Sequence, residues 1–231
     1  NLLVNDKKIN AIIITPAKAL KSLTIKNNSI NAESGVMLGR LVKESMKHDL
    51  TGLESLVGVP GTLGGALMMN AGAWGSEISN YLKSVDVINS SGKIKRLYPE
   101  DLKFKYRYSS FKSNEFILSA KFELNKATKI EIKKKKVVAS KGRISSQPLK
   151  YRSAGSVFKN PHDKLAAGFL IDQTGLKGSR SGEAEISKHH ANFFINHGKA
   201  KAKDIAKLIR LSRKKVYEKF GIMLELEIKT I

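Results

Sequence analysis

The chain has 231 residues, no cysteine, and 42 Lys and Arg against 20 Asp and Glu, a formal charge of +22. That length buries a sizeable core as one large domain or two modest ones, and no apolar run reaches the roughly 18 residues of a membrane span. The absence of cysteine excludes disulfides, thiolate nucleophiles and Cys-ligated metals.

In chain order, Ala11–Thr15 is a β-branched run that reads as a strand, and Leu23–Ile25 is a shorter one. Ser34 is placed to cap a helix running to about His48, with Leu38, Leu41, Val42 and Ser45 on one face. Val85–Asn89 and Lys93–Leu97 flank Ser90-Ser-Gly92, a hairpin signal. Apolar residues alternate at 116, 118, 120, 122 and 124, which predicts a half-buried strand. A helix is expected from Lys129 to about Ser140, and Gln147-Pro148 marks a boundary. Beyond it, Ala166–Gln173 reads as a helix stopping at Gly175, Ala191–Asn196 as a strand, and Ile205–Phe220 as a helix ended by Gly221. Leu224, Leu226 and Ile228 alternate with Glu225, Glu227 and Lys229 in a closing strand. The class is α+β, in two domains.

The charge is concentrated rather than spread. Residues 126–152 hold ten basic residues against Glu131, and residues 199–219 hold nine against Asp204 and Glu218. In the second stretch Ile205, Leu208, Ile209, Val216 and Phe220 fall at helical spacing, so its lysines form a solvated face. Neither stretch interleaves aromatics with lysines as a single-strand-binding surface does. A basic protein that binds a polyanion through residues 126–152 is the competing reading, and it requires strongly salt-dependent binding. The five histidines are scattered, and His189 and His190, adjacent on a strand, would point to opposite faces, so no metal site is expected.

Three stretches carry candidate chemistry. Gly58-Val-Pro-Gly61-Thr-Leu-Gly64-Gly65-Ala-Leu-Met-Met-Asn70-Ala-Gly72-Ala-Trp74-Gly75 spends six glycines in eighteen residues, which calls for close backbone approach or positive φ. Helix amides after the Pro60-Gly61 turn are available to an anion, while tight helix–sheet packing explains the same glycines without a ligand. The pattern is neither a P-loop nor a Rossmann fingerprint. Tyr151-Arg-Ser-Ala-Gly155-Ser156-Val-Phe-Lys159-Asn160-Pro161 offers a hydroxyl with polar neighbours but is not a nucleophile elbow. Tyr106-Arg107-Tyr-Ser109 supplies a guanidinium suited to a carboxylate.

Together with Ala167-Gly-Phe-Leu-Ile, Gly175-Leu-Lys-Gly178, Ser187…His190-Ala-Asn192-Phe-Phe-Ile-Asn196 and Leu224-Glu-Leu-Glu227-Ile, these motifs resemble, in order and along the whole chain, the UDP-N-acetylenolpyruvoylglucosamine reductases, the MurB family of peptidoglycan precursor synthesis. Asn1-Leu-Leu-Val looks like the tail of that family's phosphate loop, which implies that part of the first flavin-binding subdomain lies upstream. The short Lys-rich interval is similar to the subtype without a tyrosine-loop insertion.

The resemblance implies an FAD-binding domain of the PCMH/vanillyl-alcohol-oxidase type at 1–146 and a C-terminal α+β substrate-binding domain at 147–231, whose last strand, 222–231, returns to the active site. It implies bound FAD, NADPH as hydride source and a UDP-sugar substrate. No nucleic acid or membrane partner is expected, and a cytoplasmic monomer is. By motif match, Ser156 is the proton donor, Arg107 holds the substrate carboxylate and Glu227 completes the catalytic set. Glu225 would share the strand face of Glu227. Lys159 and Asn160 match substrate-binding positions. Asn1, Gly61, Thr62, Gly64, Gly65, Asn70, Gly72 and Ala73 match the flavin-binding segment. Trp74 stands where the family commonly has Tyr, Glu183 where glycine is frequent, and Lys201 where threonine is common. His190 is expected to be structural.

Overall fold

The computed structural model describes all 231 residues. Its main strands in chain order are β1 (Leu2–Leu3), β2 (Leu23–Lys26), β3 (Ser29–Glu33), β4 (Leu82–Asn89), β5 (Ile94–Leu97), β6 (Glu115–Glu123), β7 (Arg152–Ser156), β8 (Arg180–Ser181), β9 (Ala184–Ile186), β10 (Phe193–Asn196) and β11 (Lys229–Thr230). The helices are α1 (Leu38–Lys47), α2 (Leu63–Met68), α3 (Lys129–Ser146), α4 (Ala167–Gln173) and α5 (Ala202–Phe220). Two units result: Ile13–Arg143, and Asn1–Ile12 together with Ile144–Ile231.

In the Ile13–Arg143 unit, five antiparallel strands lie in the order β2-β3-β6-β4-β5. The expected strand at residue 116 forms, with the expected phase from Ala120 onward and the opposite phase before it. Ile117, Ala120 and Phe122 are buried while Phe116 is exposed. A register shift between Ile117 and Ser119 inserts one extra residue, which flips the residues before it to the other face. α1 buries the expected Leu38, Leu41, Val42 and Ser45. It begins at Leu38 and not at Ser34, whose amide is committed to Leu118 O and whose carbonyl accepts from Gly64. The β4–β5 turn closes as expected on Asn89, whose side chain accepts from the amides of Ser91 and Lys93. α3 outruns its expected end at Ser140. Thr128 and Glu131 cap its start reciprocally: Glu131 Oε2 accepts from Thr128 N, and Thr128 Oγ1 accepts from Glu131 N. No strand forms at 11–15, where Ile12, Ile13 and Ile14 are exposed.

In the other unit, β7-β10-β9-β8 form a four-stranded antiparallel sheet, with Leu170, Ile171, Leu208, Ile209 and Val216 of α4 and α5 in the core. α5 ends as expected on Gly221, in the left-handed region at φ 68°. Its start is capped from far along the chain. Asp6 accepts from the amides of Ala202 and Lys203 at 2.8 and 3.0 Å, supplying the carboxylate that Lys201 at the cap position lacks. β1 pairs in parallel with β11. By their contacts, residues 1–12 therefore group with residues 144–231. The expected closing strand at 224–229 is also not continuous. Leu226 makes an isolated bridge to Phe158, Glu227 and Ile228 bend, and pairing resumes only at Lys229.

Candidate active site

In the Ile13–Arg143 unit the glycine segment divides into two kinds. A Cβ on Gly64 would press to 3.1 Å from Ser34 Cβ, and one on Gly72 to 2.8 Å from both Glu77 Cγ and Ser76 O. Packing explains these two. Gly61, at φ 107°, faces open space, and a Cβ on Gly65 would meet only Thr62 Oγ1, at 3.9 Å. These two leave room for a ligand against the backbone. The expectation that the helix amides face an anion fails for the first two of α2: Leu63 N donates to Val36 O and Gly64 N to Ser34 O. Thr62 and Ala73 are half-buried beside this segment.

Asn70 is fully buried at φ 42°. Its Nδ2 donates to Glu77 Oε2 at 2.6 Å and to Lys105 O at 3.1 Å, while its Oδ1 is buried without a hydrogen-bond partner. Such an acceptor is costly unless a ligand supplies a donor. Open glycine backbone together with an orphaned acceptor fits a planar cofactor carrying an N–H edge, as a flavin does.

Arg107 occupies the tip of a hairpin between Phe104–Lys105 and Tyr108–Ser109. Ser109 Oγ donates to Met68 O at the end of α2, tying the hairpin to the glycine segment. Arg107 has φ 53°, a conformation uncommon for a side chain of its size, and its guanidinium lies 4.9 Å from the Tyr106 ring centroid. Arg143 lies near enough to feel it. Burial first, and then the Arg107 charge, pushes the Arg143 pKa below the ordinary arginine value. Two guanidiniums repelling one another in a half-buried setting favour an anion between or beside them. Sequence reasoning counted Arg143 only among the basic residues of 126–152. Its signal was helical phase, since Ile132, Ala139 and Arg143 are spaced by seven and four on the inward side of α3. Trp74, at φ 54°, packs its ring against Gly142, where a Cβ would come within 2.5 Å.

In the other unit, Ser156 ends β7 after Gly155, which is at φ 73°. The residues that follow are held on two sides. Asn192, almost fully buried, accepts from Phe158 N at 2.9 Å and donates to Phe158 O at 2.8 Å, and its own carbonyl accepts from Val157 N. On the other side Lys159 N donates to Glu225 O and Glu227 N to Val157 O, at 2.8 and 2.9 Å. Asn192 stands in a sequence motif that by itself implies no task. Its task is to splint the serine segment.

The two glutamates separate here. Glu225 is exposed and pairs with Lys159 Nζ at 2.6 Å, whereas Glu227 is half-buried on the bend. They do not share the face of one strand, because the bend after Leu226 breaks the alternation. Asn160 Oδ1 accepts from Ala167 N, capping α4. Asn1 Nδ2 donates to Ala154 O, and Asn1 lies against Gly155. His190 Nδ1 accepts from Asn192 N, and burial lowers the His190 pKa, so the neutral ring supports the same loop. No group of three or more His, Asp or Glu side chains is arranged to hold a metal.

Comparisons with known proteins place the whole chain among characterised relatives. The family described as the UDP-N-acetylenolpyruvoylglucosamine reductase C-terminal domain matches residues 147–231, and the FAD binding domain family matches residues 1–98. The chain is 46% identical to a UDP-N-acetylenolpyruvoylglucosamine reductase of Caldicellulosiruptor bescii, covering all of this chain and 74% of that protein. It is 41% identical to the reductase of Syntrophomonas wolfei, covering all of this chain and 77% of that one. The crystal structure of UDP-N-acetylenolpyruvylglucosamine reductase from Thermus caldophilus superposes with a TM-score of 0.86 at 36% identity, over all of this chain and 82% of its own. On this evidence the chain belongs to the UDP-N-acetylenolpyruvoylglucosamine reductase family.

Proposed function

We propose that this chain reduces the enolpyruvyl ether of UDP-N-acetylenolpyruvoylglucosamine to the lactyl ether, drawing its electrons from NADPH. The observation that carries the proposal is the seating of Gly155–Lys159 beside Leu224–Glu227, which fixes Ser156 next to the carbonyl that receives the Glu227 amide. Bound FAD would supply the relay of hydride from NADPH to the alkene. Gly61 and Gly65 would let it approach the backbone, and Asn70 Oδ1 would be available to it as an acceptor.

The remaining work falls to the protein's own side chains. Hydride arriving at the terminal alkene carbon pushes electron density onto the substrate carboxylate. Arg107 holds that carboxylate and offsets its growing charge. Ser156 donates a proton from Oγ to the adjacent carbon. A hydroxyl is a weak acid, so this transfer needs a strongly basic carbon and close placement, which the Asn192 splint favours. Glu227, half-buried, acts on the same transfer from the bend. Lys159, oriented by Glu225, and Asn160 meet the anionic and polar parts of the substrate.

The test is spectroscopic. Protein loaded with FAD should bleach on addition of NADPH and recover its flavin absorbance on addition of the enolpyruvyl UDP-sugar. Protein that takes up FAD and is reduced, but does not reoxidise with this sugar, would refute the substrate. Protein that includes any residues upstream of Asn1 and still holds no FAD would refute the whole reading.

A further inference from the structure

We propose that α3 is a peripheral docking face for an anionic lipid surface. At 100° per residue, Ile130, Lys134, Val137 and Lys141 line one side of the helix, with Lys133 and Val138 flanking them. The opposite side carries Ile132 and Ala139, which are buried in the unit. The outward residues are open: Ile130 is 82% and Val138 62% exposed, and Val137 and the lysines are exposed as well. Lys135 turns inward to donate to Thr51 Oγ1, which leaves the outward lysines as a separate set. The one acid of the helix, Glu131, is committed to Thr128 at the cap.

Charge complementarity selects an anionic surface, and the apolar row selects among anionic surfaces. Nucleic acid presents phosphates but no hydrocarbon for Ile130, Val137 and Val138, and the face carries no aromatic to stack on bases. A bilayer of anionic lipids satisfies both requirements, since lysines sit at headgroup level while short apolar side chains enter the acyl boundary. No helix of the protein is long and apolar enough to cross a membrane, and the absence of a span leaves this interfacial mode open. None of these residues belongs to the site proposed above, so the surface is independent of the catalytic reading.

The experiment is co-sedimentation of the 231-residue chain with vesicles of phosphatidylcholine alone or mixed with phosphatidylglycerol. Binding is expected only to the mixed vesicles, and it should be lost near 1 M salt, where the Debye length falls to about 3 Å. The variant I130S/V137S/V138S should partition at least about tenfold more weakly, and K133E/K134E/K141E more weakly still, both with an unchanged far-UV circular dichroism spectrum. Absence of binding to the mixed vesicles overturns the proposal. So does an apolar variant that binds like the parent, or vesicle binding that duplex DNA displaces equally from parent and apolar variant. Those last results would identify a plain polyanion surface.

Discussion

In the Ile13–Arg143 unit the candidate groups, Gly65 on α2 and Arg143 on α3 apart, sit where the backbone departs most from regular structure. Gly61 and Arg107 have positive φ, Asn70 is left-handed and buried, and Arg143 is half-buried near a second arginine. In the other unit the candidates are pinned to hydrogen-bonded partners. Ser156 ends a strand, its neighbours are bonded on both flanks, and Lys159 is paired with Glu225. The contrast separates two tasks. A binding surface exposes backbone and tolerates strain, whereas proton transfer needs a donor held to within a fraction of an ångström.

The sharpest way to break this division is at the serine. Ser156→Ala should slow flavin reoxidation by the sugar substrate by about 10²-fold or more, leaving reduction by NADPH intact in stopped-flow absorbance. Equal slowing of both half-reactions removes Ser156 from the proton transfer. Glu227→Gln should share the defect, and Glu225→Gln should instead raise KM a few-fold by releasing Lys159. Next in size, Asn192→Ala removes two bonds to buried backbone groups of Phe158 and should destabilise by about 2–4 kcal/mol in urea unfolding. An effect within 0.5 kcal/mol would mean that the serine segment is held some other way.

Arg107→Gly tests the opposite character of the other unit. It should relieve a left-handed arginine and raise stability by about 1 kcal/mol, while substrate reduction falls by about 10²-fold. A loss of stability would show that the guanidinium is structural. The glycines give a smaller and paired contrast. Gly64→Ala should destabilise by about 1 kcal/mol or more because Ser34 stands in the way. Gly65→Ala, with open space and better helix propensity, should leave the melting temperature level or raised while weakening FAD retention. If both variants lose stability equally, packing alone explains the segment.

The last prediction concerns pH. Burial opposes ionisation of Glu185, but donors from Arg180 and His197 outweigh it, so its pKa lies below the ordinary 4.5. Its stabilising contribution is therefore complete above that value and is lost as pH falls through the depressed folded one. Glu185→Gln should flatten this acid limb in unfolding curves taken at successive pH values, and an unchanged limb would remove the linkage.

What the sequence revealed depended on whether a short-range rule governed the position. Periodicity and the C′ glycine placed the end of α5, and Ser90-Ser-Gly92 placed its turn, because both are local. The phase of β6 was legible from Ala120 onward but not before Ser119, since a one-residue bulge answers to strand pairing far along the chain. The isoleucines at 12–14 have strand propensity but no partner strand. The bend at Glu227 follows from two amides converging on Val157 O, which no alternation reveals. Among the candidates, the residues alone offered Arg107 for a carboxylate and Ser156 as a hydroxyl. The proton-donor role and Glu227 came only with the resemblance, and composition alone could not separate packing glycines from open ones. Asn192 escaped because its role is to replace a strand partner.

The Asp6 cap on α5 also constrains the order in which the polypeptide acquires structure during synthesis. Asp6 meets Lys203 across 197 positions, and at roughly 5–20 residues per second the carboxylate waits about 10–40 s for its helix to emerge. All of Ile13–Arg143 leaves the ribosome within that interval. That unit is thus available to fold before Asp6 can meet the first turn of α5.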